Sequence, residues 1–306
     1  MTKTANTDTE AVLVEAEPIA PQSATPAPNV PTPQFGAYGP GLMSRLGLAV
    51  GRLLPRGEAG LRLAGAVRPL ALLGARHGVS DVSALGLKLR LHPKDNLSEK
   101  RLFLTPQCFD PDELETLSAA MSPGRTFFDI GANAGAYALV AAKAGGPTSR
   151  VIAVEPQVEM RRRIAFNARE NALSNIEITG VALSDYEGES VMRIVDTNMG
   201  RAALPANGAQ ARAGSGEAVR VTTLLKLMDE LGVDRIDAAK IDVEGGEAAI
   251  LSAFFRDAAE ARWPGLLILE RPQVNETGGD DPVALALQRG YRLTRTTRMN
   301  AILERA

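Results

Sequence analysis

The pattern of apolar and polar positions along the chain predicts alternating strands and helices over most of its length. Phe127, Phe128 and Ile130 make a short apolar run carrying one acid, Asp129, and give way at Gly131 and Gly135 to an Ala-rich helical pattern. The reading is strand, tight glycine turn, helix. Residues 151–154 form a second apolar run, 158–171 a helix and 175–183 a third strand. Residues 189–194 and 218–222 read as a pair of added strands, and the Gly/Ala-rich stretch between them, out to about residue 217, as a lid. The segment 237–247 reads as a further strand that carries Lys240, Asp242 and Glu244, and the apolar run 266–270 ends in the carboxylate of Glu270. A helix over 281–288 and an antiparallel pair, 291–294 with 301–303, close the pattern. Ahead of all this, 85–92 alternates as an antiparallel strand should, and 111–117 reads as a helix leading into the first core strand.

The first 80 residues differ in composition. Residues 1–40 are rich in Pro, Ala and Thr and carry too little apolar surface to offset the entropy of ordering, which predicts a disordered tail. From Leu42 to Val79 the chain turns to Leu, Ala, Gly and Arg. Arg45, Arg52, Arg56, Arg62, Arg68 and Arg76 face one acid, Glu58. The spacing of Leu42, Leu46, Ala49 and Leu53 predicts an amphipathic helix, with breaks at Pro55 and Pro69. Such a segment suits either a membrane surface or partner, or the flank of the main domain with its arginines in water; the second reading is favoured. The expected division is a tail over 1–40, a basic helical extension over 41–80 and an α/β domain over 81–306.

A net charge of −2 over 306 residues points to no nucleic-acid partner, and the arginines 161, 162, 163 and 169 of the 158–171 helix read as a solvated face. The single cysteine, Cys108, rules out an internal disulfide. The N-terminus lacks the basic-then-apolar order of a secretory signal and no apolar run reaches spanning length, so a cytoplasmic location is expected.

The glycine turn carries the first chemistry. A dinucleotide fingerprint wants G-x-G-x-x-G, but here Asn133 stands at the middle glycine, which weighs against a pyrophosphate and an NAD-dependent oxidoreductase. A smaller ligand with an amino-acid tail fits better: Asp129 can face its ammonium, the turn amides its carboxylate, and Glu155, ending the second strand, its ribose hydroxyls. S-adenosylmethionine is such a ligand. The glycines then let it approach the backbone.

Four segments, Asp129-Ile-Gly-Ala-Asn-Ala-Gly135, Val154-Glu-Pro156, Val181-Ala-Leu-Ser-Asp185 and Lys240-Ile-Asp-Val-Glu-Gly-Gly-Glu247, resemble in order and distance the motifs of FkbM-type methyltransferases. The resemblance runs from about Asp81 to the C-terminus. It implies a seven-stranded Rossmann-like sheet, mostly parallel with an antiparallel last strand, and O-methylation of sugar or polyketide-type hydroxyls. It implies cofactor-binding positions at Asp129, Gly131, Asn133, Gly135, Glu155, Pro156, Ala182 and Asp242, and a stretch from the strand at 85–92 to the helix at 111–117 that shelters the site. An Asn-x-Gly element at 198–200 fits the family, whereas Leu225 stands where an acid is common.

Lys240, Asp242 and Glu244 recur at period two and so should share one face of a strand otherwise apolar on both sides. Charges there need a compensating role. Methyl transfer needs the acceptor aligned and its proton removed. His77 and His92 precede the core, so Asp242, Glu244, Glu247 and Glu270 are the candidate carboxylates, with Lys240 as a partner. The same cluster could hold Mg²⁺. O-methylation of a small-molecule or glycan hydroxyl leads; N-methylation, the oxidoreductase and a non-catalytic cofactor-binding accessory protein are the alternatives.

Overall fold

A computed structural model describes residues 33–73, 75, 78–195, 198–203, 217–271 and 281–305, with the backbone alone over 193–203. Of the stretch expected as a tail, 1–32 lies outside the described residues, but 33–40 is tied down. Asp81 accepts hydrogen bonds from the amides of Gly36 and Tyr38, at 2.8 and 3.1 Å. Arg90 grips the same carboxylate with two nitrogens and donates to the carbonyls of Pro33 and Gln34.

Helix α1 (Leu42–Leu53) packs on α2 (Glu58–Leu72), and the chain breaks at Pro55 but not at Pro69, which sits exposed inside α2 near its end. The expected orientation of α1 is reversed. Its buried residues are Ser44, Gly47, Leu48 and Gly51, while Leu42, Leu46 and Leu53 face outward. Close approach is the reason: a Cβ on Gly47 would lie 2.6 Å from the Ala71 nitrogen, and one on Gly51 would lie 2.5 Å from the Leu104 oxygen.

Strands β1 (Ser80–Ala84) and β2 (Leu87–Leu91) form a hairpin that packs on the helices that follow it in the chain. Helix α3 (Leu97–Leu104), a 3₁₀ turn at Pro106–Cys108 and α4 (Pro111–Ala120) lead into the core. There β3 (Thr126–Ile130), α5 (Ala136–Gly145), β4 (Arg150–Val154), α6 (Val158–Glu170) and β5 (Ile176–Thr179) make one wound half. The expected third strand is divided. Gly180 separates β5 from β6 (Val181–Leu183), which leaves for a second sheet with β7 (Gly188–Val195), β8 (Asn198–Ala203) and β9 (Glu217–Thr222), ordered β6-β9-β7-β8. The expected added pair is therefore β7 and β9 of a four-stranded sheet. Of the stretch expected as a lid, 204–216 lies outside the described residues, and 198–200 is strand.

Helix α7 (Leu224–Glu230), β10 (Ala238–Ile241), α8 (Glu247–Asp257), β11 (Leu266–Glu270), α9 (Pro282–Gln288), β12 (Tyr291–Thr296) and β13 (Asn300–Arg305) complete the chain. The main sheet has seven strands in the order β12-β13-β11-β10-β3-β4-β5. It is parallel except for β13, antiparallel to both neighbours, as expected. Alternation along the strands explains the layers. Phe127, Val151 and Ala153 pack with Leu117, Ala138 and Ile164 on one face; Phe128, Ile130, Ile152 and Val154 pack with Leu227, Ile250, Phe254 and Ala286 on the other. The core strands are thus apolar on both sides, and polar groups gather where the strands end.

Candidate active site

In open α/β sheets ligands bind beyond the carboxyl ends of the strands, and here those of β3, β4, β10 and β11 carry the acids. Asp129, fourth in β3, is almost fully buried. Its Oδ2 accepts from the Ala138 amide at 2.9 Å, capping α5 from a distance, while its Oδ1 has no hydrogen-bond partner. Burial pushes this carboxyl up to about 6, against the pull of the Lys240 charge and the Ala138 amide.

The turn after β3 is built differently from the sequence-based expectation. Its amides are used inside the chain: Gly131 and Ala132 donate to the Val154 carbonyl, Gly135 to Ala132, Ala134 to the Asn133 Oδ1, and Asn133 to Glu155. The protein's own packing requires both glycines. A Cβ on Gly131 would lie 1.8 Å from the Asp242 carbonyl oxygen, and one on Gly135 would lie 2.8 Å from the Ile164 side chain. Both have positive φ, as does Asn133 (+52°), a residue type that tolerates the left-handed region.

Glu155 at the end of β4 is also buried. Its Oε2 accepts from Asn133 N at 2.7 Å and its Oε1 from Gln157 N at 2.9 Å. Burial raises it to about 7, although both amides favour the charged form. Each carboxylate oxygen keeps a second lone pair for a hydroxyl donor. Pro156 accepts from Arg161 through its carbonyl, and the buried Gln157 leaves Oε1 without a partner. Two buried acceptors in want of donors, at the ends of β3 and β4, fit a ligand with an ammonium and sugar hydroxyls. Ala182 is instead packed with Met192, Val219 and Val221 in the second sheet.

The third group surrounds Lys240, in register with Asp129 on the neighbouring strand. Its Nζ donates to Asp242 Oδ2 at 2.8 Å and lies 5.0 Å from the centre of the Tyr137 ring. Burial works against its charge, but Asp242, Asp129 and Asp110 together hold its pKa above the ordinary value. Burial likewise opposes ionisation of Asp242, and the Lys240 charge, with hydrogen bonds from Lys240 and Glu270, outweighs it, so Asp242 is lowered. Glu270 is raised to about 8, by burial first and then by the Asp242 charge. The two carboxyls are pushed in opposite directions, Asp242 down and Glu270 up.

The period-two expectation fails at Glu244. Strand β10 ends at Ile241, and Glu244 sits in the following loop with φ +61°, so it does not continue the Lys240–Asp242 face. Glu247 holds that loop: its carboxylate accepts from the amides of Val243 and Gly245. Oxygens of Asp242, Glu247 and Glu270 lie within 4.8 Å of one another. The compensating groups are the Lys240 ammonium, two backbone amides and a carboxyl proton.

The cover over the strand ends comes from α3 to α4, within the stretch that the family resemblance implies shelters the site. Asn96 caps α3 through Glu99 N and donates to Asn133 Oδ1 at 2.6 Å. Asp110, ahead of Pro111, has the signature of a helix cap, yet its carboxylate accepts from the Tyr137 hydroxyl at 3.0 Å. Glu113 accepts from Thr297 and Asn300, binding α4 to the start of β13. Arg163, expected in water, is buried and pairs with Asp95, Glu99 and Glu159 beside the α3 cap. Sequence spacing does not signal Asp110 or Tyr137 as neighbours of Lys240, nor Glu113 as a neighbour of Asp110.

This sheet order, with acids at the ends of β3 and β4 and a lysine–carboxylate pair on β10, defines an S-adenosylmethionine-dependent methyltransferase. The Methyltransferase FkbM domain matches residues 129–293, and the chain belongs to that family. A curated relative, the AMB antimetabolite synthetase AmbE of Pseudomonas aeruginosa, is 26% identical over 218 residues, which cover 60% of this chain. The chain spans about a tenth of that relative's length. Among solved structures, a precorrin-6y C5,15-methyltransferase from Geobacter metallireducens aligns with TM-score 0.38 and 12% identity over 64% of this chain and 88% of that one. TYW2 of M. jannaschii in complex with AdoMet aligns at 0.39 and 12%, over 75% and 87%. A SAM-dependent O-methyltransferase from Thermotoga maritima aligns at 0.34 and 16%, over 64% and 66%. At these scores the structural likenesses add nothing to the argument.

Proposed function

We propose that the chain methylates a hydroxyl oxygen of a sugar or related small molecule, with Asp242 receiving the acceptor's proton. The observation that carries this reading is the Lys240–Asp242 pair. The lysine side chain is 7% exposed and the aspartate 35%, so the acid alone can be reached by an acceptor. The cofactor supplies a methyl group on a sulfonium; the protein's part is alignment and proton removal. Asp129 and Glu155 hold the ligand's ammonium and ribose, and Asp242 stands one strand across from Asp129 and two from Glu155.

Lys240 pairs with Asp242 and the raised Glu270 carboxyl hydrogen-bonds the same aspartate, so this corner offers both donors and acceptors to a hydroxyl. A cation already neutralises Asp242 and backbone amides occupy Glu247, so the reading requires no Mg²⁺. The likeness to an antimetabolite synthetase supports a small biosynthetic acceptor.

The test is turnover with labelled S-adenosylmethionine against panels of sugars, other small hydroxyl compounds and amines. Asp242→Asn should lower kcat by about 10²–10⁴-fold, the usual worth of a general base, and leave cofactor affinity nearly unchanged. EDTA should have no effect. Full turnover by Asp242→Asn, or methylation of amines alone, overturns the reading.

A further inference from the structure

The apolar residues of α1 face away from the protein. Leu42, Met43, Leu46, Val50 and Leu53 are between 46% and 85% exposed, and on a helical projection they share a stripe about 100° wide, opposite Ser44, Gly47 and Gly51. Leu63 of α2 and Leu73 just beyond it add two more exposed side chains. Single exposed leucines need no explanation, but a contiguous set on one helix face marks an interaction site. The helix cannot roll to hide them. Its glycine face is fitted against Ala71 and Leu104, the Ser44 hydroxyl donates to the Ala71 carbonyl, and Gln107 donates to the carbonyls of Gly51 and Leu54.

Charge identifies the partner. Residues 42–73 hold Arg45, Arg52, Arg56, Arg62 and Arg68 against the single acid Glu58, in a chain whose net charge is −2. Arg45 and Arg52 run along one edge of the apolar stripe, and all five arginines are exposed. A second copy of this chain would bring two such basic edges together with one acid apiece to offset them. An anionic lipid surface satisfies both features, taking the apolar side chains at the headgroup boundary and the guanidinium groups among the phosphates. At 12 residues the helix is about 18 Å long, suited to lying in the interface, and no described helix is long and apolar enough to cross a membrane.

We propose that α1, with the adjoining edge of α2, docks the protein on anionic bilayer surfaces. The surface is joined to the catalytic cover, because Gln107 lies three residues before Asp110. The inference does not depend on the acceptor proposed above.

Co-sedimentation of the full chain with vesicles tests it. Binding to vesicles of mixed phosphatidylcholine and phosphatidylglycerol should exceed binding to pure phosphatidylcholine at least tenfold, and should weaken as salt rises. Leu46→Gln combined with Val50→Gln, and separately Arg56→Gln with Arg68→Gln, should each reduce binding tenfold or more. Thermal melts and cofactor affinity should stay at wild-type values, because these side chains touch solvent. Absence of binding to anionic vesicles, equal binding to neutral ones, or unchanged binding by both double variants overturns the proposal. So does a dimer, seen by light scattering, that Leu46→Gln with Val50→Gln dissolves.

Discussion

Asn96 donates from Nδ2 to Asn133 Oδ1 at 2.6 Å, joining the cap of α3 to the left-handed residue at the centre of the glycine turn. The bond links the cover of the site to its cofactor side. Asn96→Ala should therefore weaken cofactor binding as well as stability, the lost cap alone accounting for about 0.5–2 kcal/mol. Calorimetric titration and melting check the two effects. Asn133→Gly keeps the backbone at ease and loses only the side chain, so it should be milder than Asn133→Ala, which also meets the cost of positive φ.

Lys240→Met removes the charge that holds Asp242 below the usual carboxylate range. The pKa of Asp242 should rise, moving the acidic limb of the kcat profile upward, so that activity falls more at pH 6 than at pH 9. A profile shifted neither way would show that Asp242 does not receive the proton.

Glu155 gives stability a pH dependence whose sign is fixed. Its pKa is about 7 in the folded chain against an ordinary 4.5, so between these values the folded state holds a proton that the unfolded chain has lost. Stability contributed by this group falls as pH rises through that window, is unaffected below about 4.5, and levels off above 7. Asp129, raised to about 6, acts in the same direction. Glu155→Gln should flatten part of the slope in denaturant titrations run at several pH values. At every pH it should also cost about 1–3 kcal/mol, because its NH₂ now faces one of two backbone donors.

Residues 33–40 should matter to stability. A chain beginning at residue 41 leaves Arg90 without the Pro33 and Gln34 carbonyls and Asp81 without two amides, whereas one beginning at residue 33 keeps them. The difference between these truncations, measured by urea unfolding, should be about 1–3 kcal/mol. Equal midpoints would mean that water replaces these bonds without loss.

The strands and the acids at their ends were legible because a parallel strand buried on both faces announces itself as an apolar run, and a carboxylate at its end breaks that run. Asp129, Glu155, Asp242 and Glu270 were all found so. Period-two counting misplaced Glu244 because nothing in Val243-Glu-Gly announces that the strand has stopped. The run 175–183 looked continuous because a glycine between apolar residues does not say that the chain changes sheets. The roles of Asp110, Glu113 and Tyr137 depend on contacts across 27 to 187 residues of sequence, which no local pattern records. Arg163 and α1 depart from the sequence pattern for a related reason: side-chain polarity predicts which face turns inward, whereas an ion cluster and a glycine seam set it.

Gly131 is where the two halves of the site meet, since its missing methyl leaves room for the Asp242 carbonyl and for nothing else. The distance between the glycine turn and the loop bearing Asp242 is thus set by two backbones in hard contact, like a gauge block between two jaws. Side chains around the acceptor can diversify without altering that gap. Drift in sequence can change what is methylated while the reach of the transfer stays constant.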